Sequence, residues 1–251
     1  MSYDEIQDVP TDESSPIQDA RTQFTILDIM VGVTIAAVTC GFWLQTSQPQ
    51  MPMIQVVFMI PALINFVLGG TTLFSFGRRY LLKQPIDFQP GHWLLCLIGV
   101  SFIIQSIANL LRAVLFSREE SIVLDDQSPM MFLFLGQQLV FLVCFLVAGI
   151  LMPVRPAWRL ALVTPILQSV LVMLLFGSML LQDQWYFLND IYSYANVAIN
   201  ILGIFVVVVL AVWDQATTHD RRDWLHWLGV AAMLLWNLPM LILQVVNFFP
   251  F

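Results

Sequence analysis

Residues 194–213 read YANVAINILGIFVVVVLAVW, a stretch of about twenty residues without a single charge. A helix of that length spans about 30 Å, which is the thickness of the hydrocarbon layer of a bilayer. Hydrophobic residues make up 59% of the 251-residue chain and charged residues only 11%. This composition lies far from that of globular domains. The sequence therefore predicts an integral membrane protein.

Six further apolar runs resemble this one in length and predict the fold. Their Gly and Pro residues are compatible with membrane helices, because neighbouring helices re-satisfy the freed backbone groups. We expect residues 23–251 to form one all-α, polytopic bundle of about seven transmembrane helices. The runs are Ile26–Leu44, Ile54–Phe76, Trp93–Leu115, Met131–Leu151, Leu160–Leu181, Tyr194–Trp213 and Trp224–Val246. A search for internal repeats finds no convincing one, although three-plus-three helices with an extra helix are compatible with an odd number of spans.

The distribution of Lys and Arg between the connecting segments predicts the orientation. With the N-terminus inside, the inner segments hold eight of the ten basic residues, and only Arg112 and Arg118 remain for the outer side. The loops around 46–50, 117–128 and 182–193 are then outside, as is the C-terminus. The eight inner residues are Arg21, Arg78, Arg79, Lys83, Arg155, Arg159, Arg221 and Arg222.

Residues 1–22 are polar and acidic and show no apolar periodicity. Such a segment buries too little apolar surface to offset the entropy of ordering, so we expect a disordered cytoplasmic tail. It serves either to keep the chain soluble or to dock a partner. Because six of the seventeen acids lie here, the net charge of −7 is mostly a property of the tail. Nucleic acid is not an expected partner, since the basic residues form no stripe.

The first predicted span begins Phe24-Thr-Ile-Leu-Asp-Ile29 and continues after Met30 with Val-Gly-Val-Thr-Ile-Ala-Ala-Val38. This segment resembles the opening helix of uncharacterised planctomycete-type bacterial membrane proteins. The resemblance covers about fifteen residues of helix one and implies a multi-pass protein of the bacterial cytoplasmic (inner) membrane. It implies no activity and no site residue.

Asp28 is the only acid inside a predicted span. Intramembrane acids are candidates for proton or ion handling. However, Thr25-Ile-Leu-Asp28 also fits the capping box, in which Thr25 caps the helix and Asp28 reaches back to it. We expect the cap.

A polar stripe lies along the third span, where Ser101, Gln105, Asn109 and Arg112 follow one another at intervals of four, four and three. Amides of three other spans fall at similar depth in the outer half. Facing lipid would be costly, so these groups either bond one another between helices or line a wet cavity in which Arg112 attracts an anion. Alternatively, Arg112 extends to the outer headgroups. The candidate cavity residues are Gln105, Asn109, Arg112, Gln137, Gln138, Asn196, Asn200 and Asn237.

Neither a catalytic residue nor a metal or cofactor is predicted. His92, His219 and His226 all fall near the inner face, but their spacing matches no zinc or haem motif, and we interpret them as interfacial polar residues. The three cysteines lie in apolar runs and predict no disulfide. The sole lysine, Lys83, falls in a loop, which excludes a retinal-type Schiff base within a span.

Two functions are compatible with these features. The first is a non-enzymatic membrane component, such as a scaffold, assembly factor or subunit, whose spans interact through amides. The alternative is a small-molecule transporter or ligand sensor with an outward-facing polar cavity. An enzyme acting on lipids has less support, because such chemistry usually needs clustered acids. Membrane lipids and other membrane proteins are the expected partners, and the sequence predicts no oligomeric state.

Overall fold

The computed structural model describes residues 24–46, 53–84, 88–116, 128–152, 155–180, 185–217 and 222–248. These residues form an all-α structure with seven α-helices and one 3-10 helix, Pro156–Leu162, that leads into the fifth α-helix. The acidic tail, residues 1–22, lies outside the described residues. The helices are α1 (Ile26–Thr46), α2 (Met53–Leu81), α3 (Pro90–Phe116), α4 (Ser128–Leu151), α5 (Val163–Leu180), α6 (Trp185–Thr217) and α7 (Trp224–Phe248).

Each apolar run overlaps one α-helix, and most helices extend beyond their run by a few residues. The fifth run begins in the 3-10 helix, whose first residue, Pro156, has the backbone angle that favours a helix start. The sixth helix is longer than its run, because it begins at Trp185 and continues to Thr217. Part of the predicted outer loop 182–193 is therefore helical. Within the described residues, five helices are long and apolar enough to cross a membrane, and two shorter apolar helices, Ile26–Gly41 and Trp224–Leu238, accompany them.

The helices alternate in direction, and one end of the bundle collects the basic residues. Contacts there join the start of α1 to the end of α2 through Asp28 and Arg78, and the starts of α3 and α7 through His92 and Asp223. The end of α6 is joined through Asp214 to the segments that precede α5 and α7. We call this the basic end. It corresponds to the side that the sequence predicts to be cytoplasmic.

Five helices form a ring in which each packs against the next, in the order α3, α4, α5, α6, α7, and α7 contacts α3 to close it. α2 packs outside this ring against both α3 and α7, and α1 packs mainly on α2. The main hydrophobic core lies within the ring, in its half nearer the basic end. It includes Leu94 and Leu97 of α3, Met152 after α4, Trp158 of the 3-10 helix and Val207 of α6.

Glycines allow the backbones of α2 and α3 to approach closely. A Cβ built on Gly69 would lie 2.6 Å from the backbone N of Gly99 and 2.9 Å from the carbonyl O of Leu95. Real Cβ atoms are not found at such distances, so only glycine fits. Gly91 of α3 and Gly229 of α7 make a similar backbone contact near the basic end.

Candidate functional site

Four of the predicted polar residues form a closed set of hydrogen bonds between α3 and α4. Arg112 donates through Nη1 to Asn109 Oδ1 at 3.0 Å and through Nη2 to Gln137 Oε1 at 2.6 Å. Gln137 in turn donates through Nε2 to Gln105 Oε1. Gln105 Nε2 completes the circuit with Asn109 Oδ1 at 3.5 Å. We call these four residues the amide–arginine ring.

The sequence spacing explains the two hydrogen bonds of this ring that lie within α3. Intervals of three and four place Gln105, Asn109 and Arg112 on one face of α3, and their mutual hydrogen bonds show that they share it. The fourth member, Gln137, is buried on α4 and accepts from Arg112 while donating to Gln105. A single glutamine amide thus bonds two groups of the neighbouring helix.

An aromatic stack continues the ring into a third helix. The guanidinium carbon of Arg112 lies 3.9 Å from the centre of the Phe134 ring on α4, a distance typical of a cation–π contact. Phe134 stacks in parallel on Phe176 of α5, with ring centres 5.1 Å apart and an interplanar angle of 3°. Arg112 therefore has an aromatic ring on one face and amide oxygens at its edge.

A second polar group joins α5 and α6. Gln168 donates through Nε2 to Asn200 Oδ1 at 3.0 Å. Asn200, which is fully buried, donates through Nδ2 to the carbonyl O of Asn196 at 2.7 Å and lies 3.1 Å from Asn196 Oδ1. Gln168 is not among the predicted residues, because those were amides of the outer half and Gln168 falls in the inner half of its run.

The remaining two predicted residues have different surroundings. Asn237 of α7 is fully buried and donates to its own helix at Met233 O, 2.8 Å away. Its Oδ1 would lie 3.0 Å from a Cβ built on Gly203 of α6, beside Thr164 of α5, so it fills the junction of three helices. Gln138 is half-buried on α4 and takes no part in the amide–arginine ring.

A pocket in the bundle lies among apolar side chains and not among these amides. Ser101 is the one polar side chain of its lining, and its hydroxyl donates to Leu97 O at 2.8 Å. None of the eight candidate cavity residues lines this pocket. Its lining consists of Leu94, Leu97, Ile98, Ser101, Phe145, Leu162, Pro165, Met233 and Trp236.

The basic end holds a second polar constellation, centred on His92 at the start of α3. His92 is fully buried, and its Nε2 lies 2.9 Å from Asp223 Oδ1. Its Nδ1 accepts the backbone N–H of Gln89 at 3.3 Å, which identifies Nε2 as the protonated nitrogen that donates to Asp223. Gln89 Oε1 accepts the backbone N–H of Asp223 at 3.1 Å. The starts of α3 and α7 thus cap each other.

His226 makes the reciprocal contact from α7. Its Nδ1 accepts the backbone N–H of Gly91 at 3.0 Å, and its own backbone N–H donates to Asp223 Oδ1 at 2.8 Å. Both imidazoles therefore accept from backbone amides at the start of α3, Gln89 just before the helix and Gly91 in its first turn, where a helix leaves amides without intrahelical partners. Both histidines lie at the basic end and are fully buried within the bundle. His219 lies outside the described residues.

Two acids at this end are paired with arginines. Asp214 near the end of α6 is buried and accepts from Arg222 through both oxygens, at 2.9 and 3.0 Å, and Arg155 lies 3.7 Å away. Asp28 accepts from the backbone N and the hydroxyl of Thr25, each at 2.7 Å, which confirms the capping box, and it also pairs with Arg78 at 3.2 Å. The predicted span ended at residue 213, so Asp214 was not recognised as an acid within a helix.

These contacts use the acids and histidines for structure. In the part of the chain that the structure describes, no group of three or more His, Cys, Asp or Glu residues is arranged to hold a metal ion. The cysteines of that part are free. The distinctive arrangement is therefore the amide–arginine ring, with a cation bonded to neutral oxygens. Comparison of the chain with protein-family models, curated proteins and solved structures finds no match.

Proposed function

We propose that the chain is a non-enzymatic component of a bacterial cytoplasmic membrane, acting as a scaffold, assembly factor or subunit. In this proposal all seven helices cross the bilayer, with the N-terminus inside and the C-terminus outside. The alternation of helix directions and the collection of arginines at one end support this threading. Lipids and other membrane proteins are its partners.

The pairing of polar side chains between helices is the observation that carries this proposal. Gln137 bonds both Gln105 and Arg112 across α3 and α4, and Gln168 bonds Asn200 across α5 and α6. Amides that satisfy one another in this way fix the relative positions of helices. A fixed bundle with a polar interior of this kind suits a protein that presents a constant surface to partners.

Cysteine accessibility tests both the threading and the closed interior. In a variant in which Cys40, Cys96 and Cys144 are replaced by Ala, single cysteines are placed at Ser47, Asp125, Thr218 or Asn200. A membrane-impermeant maleimide added to intact cells should label the first two, should label position 218 only after permeabilisation, and should leave position 200 unlabelled. Labelling at position 200 from outside would contradict the closed interior, and labelling at 218 in intact cells would contradict the threading.

Purification tests the scaffold role. We expect a partner membrane protein to remain bound in constant proportion in a mild detergent, and to be lost when Gln137 and Asn200 are both replaced by Leu. A chain that purifies alone and restores a small-molecule flux in vesicles would contradict this role.

An internal similarity favours a transporter or ligand sensor as the second candidate. The tripeptide His92-Trp93-Leu94 at the start of α3 recurs as His226-Trp227-Leu228 at the start of α7. Gly69 of α2 and Gly203 of α6 are separated by the same number of residues as His92 and His226. The helices α1 to α3 and α5 to α7 also pack in the same order, with α4 between them. Parallel repeats of this kind occur in transporters, where the substrate site lies between the two units. If the protein is a transporter or ligand sensor, the maleimide should label a cysteine at position 200 from outside, and a bound ligand should prevent that labelling.

A further inference from the structure

Arg112 has no carboxylate partner among the described residues, which distinguishes it from the arginines that form ion pairs. Within the described ranges, the ion pairs of arginine join Arg78 to Asp28, and Arg155 and Arg222 to Asp214, all at the basic end. Arg112 instead bonds the neutral oxygens of Asn109 and Gln137. These bonds orient the guanidinium but leave its positive charge without a counter-ion in this part of the chain.

The position of Arg112 places this charge at the level of a headgroup layer. It lies 22 residues after Pro90, which corresponds to roughly 33 Å along the axis of α3 at 1.5 Å per residue. A hydrocarbon core is about 30 Å thick, so an α3 that enters the bilayer near Pro90 brings Arg112 to the opposite boundary. The side chain is only partly buried. Leu111, the neighbouring residue on α3, is apolar and exposed by 45%.

The guanidinium keeps donors that the ring does not use. Of its five N–H groups, one on Nη1 and one on Nη2 are bonded within the ring. The Nε–H is buried without a partner, and the second hydrogens of Nη1 and Nη2 have no acceptor among the described residues. Phosphate is a favoured acceptor for such a group, because the guanidinium fork can donate two parallel N–H bonds to it.

We propose that Arg112 binds the phosphate group of a phospholipid in the leaflet opposite the basic end. The acyl chains then lie against exposed apolar side chains of α3, beginning at Leu111. The amide–arginine ring and the face of Phe134 hold the guanidinium in place, so the lipid finds its binding group already oriented. A soluble phosphate shares the headgroup chemistry but lacks the chains that the apolar surroundings would bind.

Native mass spectrometry of the purified, delipidated chain in a maltoside detergent tests this proposal. Dioleoyl phosphatidylglycerol is titrated against the wild type, R112Q and R112K, and dioleoylglycerol is the lipid without phosphate. We expect R112Q to weaken the first phosphatidylglycerol by about tenfold, the loss of one charge-assisted contact, and R112K to weaken it less. Dioleoylglycerol should bind more weakly than phosphatidylglycerol to the wild type and equally to R112Q.

The matched control is R159Q, which removes the same charge from an exposed arginine of the 3-10 helix at the basic end. We expect it to leave the first phosphatidylglycerol affinity within about twofold. Equal losses in R159Q and R112Q would overturn the proposal, since any surface cation would then suffice. If R112Q fails to fold, R112K decides, because it retains the charge but not the fork. Wild-type affinity in R112K together with equal binding of both lipids would overturn it.

Two further measurements separate competing explanations. Inorganic phosphate at millimolar concentration should neither displace phosphatidylglycerol nor raise the melting temperature of the wild type; if it does both, the site binds a soluble anion and the lipid assignment is wrong. An acid of residues 117–127 could also neutralise Arg112. If replacing Glu119, Glu120, Asp125 and Asp126 by their amides is required before any Arg112-dependent lipid binding is seen, the proposal is overturned.

Discussion

Replacing Gly69 by Ala should separate α2 from α3 at their closest point. The new Cβ would lie 2.6 Å from Gly99 N and 2.9 Å from Leu95 O, whereas carbon atoms normally rest at about 3.5 to 4.0 Å from such neighbours. The obstructing atoms belong to a helix backbone and cannot rotate away. The two helices must therefore move apart by about 1 Å at this crossing.

The energetic cost follows from the loss of packing along that contact. Overpacking a well-packed site costs about 1 to 3 kcal/mol, while Ala gains about 0.5 to 1 kcal/mol over Gly in a helix. Comparison with Gly77→Ala cancels the gain in helix propensity, because Gly77 is on the same helix and a Cβ there meets nothing within 4 Å. We expect G69A to be less stable than G77A by about 1 to 3 kcal/mol.

Reversible unfolding in mixed micelles of maltoside and dodecyl sulfate, followed by tryptophan fluorescence, gives both free energies. Equal stability of G69A and G77A would refute the close approach of α2 and α3. G69L should lower stability further, because a larger side chain increases the same clash, and a G69L variant as stable as G69A would contradict the reasoning in the same way.

Two other substitutions test the polar contacts by the same unfolding measurement. Gln137→Leu should cost about 1 to 3 kcal/mol, because it leaves Arg112 Nη2 and Gln105 Oε1 without partners, whereas Gln138→Leu beside it should change stability by less than about 0.5 kcal/mol; equal effects would count against the ring. Asp214→Asn should cost about 3 kcal/mol, since it leaves the partly buried Arg222 without its carboxylate, whereas Asp190→Asn at an exposed position of α6 should be neutral; a stable D214N would show that this ion pair does not hold the basic end together.

The course of the helices could be predicted because a bilayer demands long apolar runs, and each run is found in a helix. Their ends could not, because a helix continues past the hydrocarbon layer wherever its local sequence allows. α6 shows this at both ends, where Trp185 and Thr217 lie outside the apolar run. Asp214 consequently belongs to a helix although the hydropathy pattern places it in a loop.

Within the candidate site, contacts on one helix could be predicted and contacts between helices could not. The spacing of Gln105, Asn109 and Arg112 is enough to place them on one face. That Gln137 bonds two of them, while its neighbour Gln138 bonds none, depends on how α4 is rotated towards α3, which the spacing within α3 does not specify. The same holds for His92 and Asp223, which are distant in sequence and meet only because α3 and α7 begin side by side.

The attachment of α1 has a consequence for how its sequence can change over evolutionary time. This helix rests mainly on α2, where Gly32 faces Thr71 and Ile35 faces Gly70, while Met30, Val33 and Val38 point away from the protein. Substitutions on the outward side disturb no neighbour and need only keep that side hydrophobic. Relatives of this chain should therefore drift widely along that side, while the narrow strip around Gly32 and Ile35 keeps its small and branched residues.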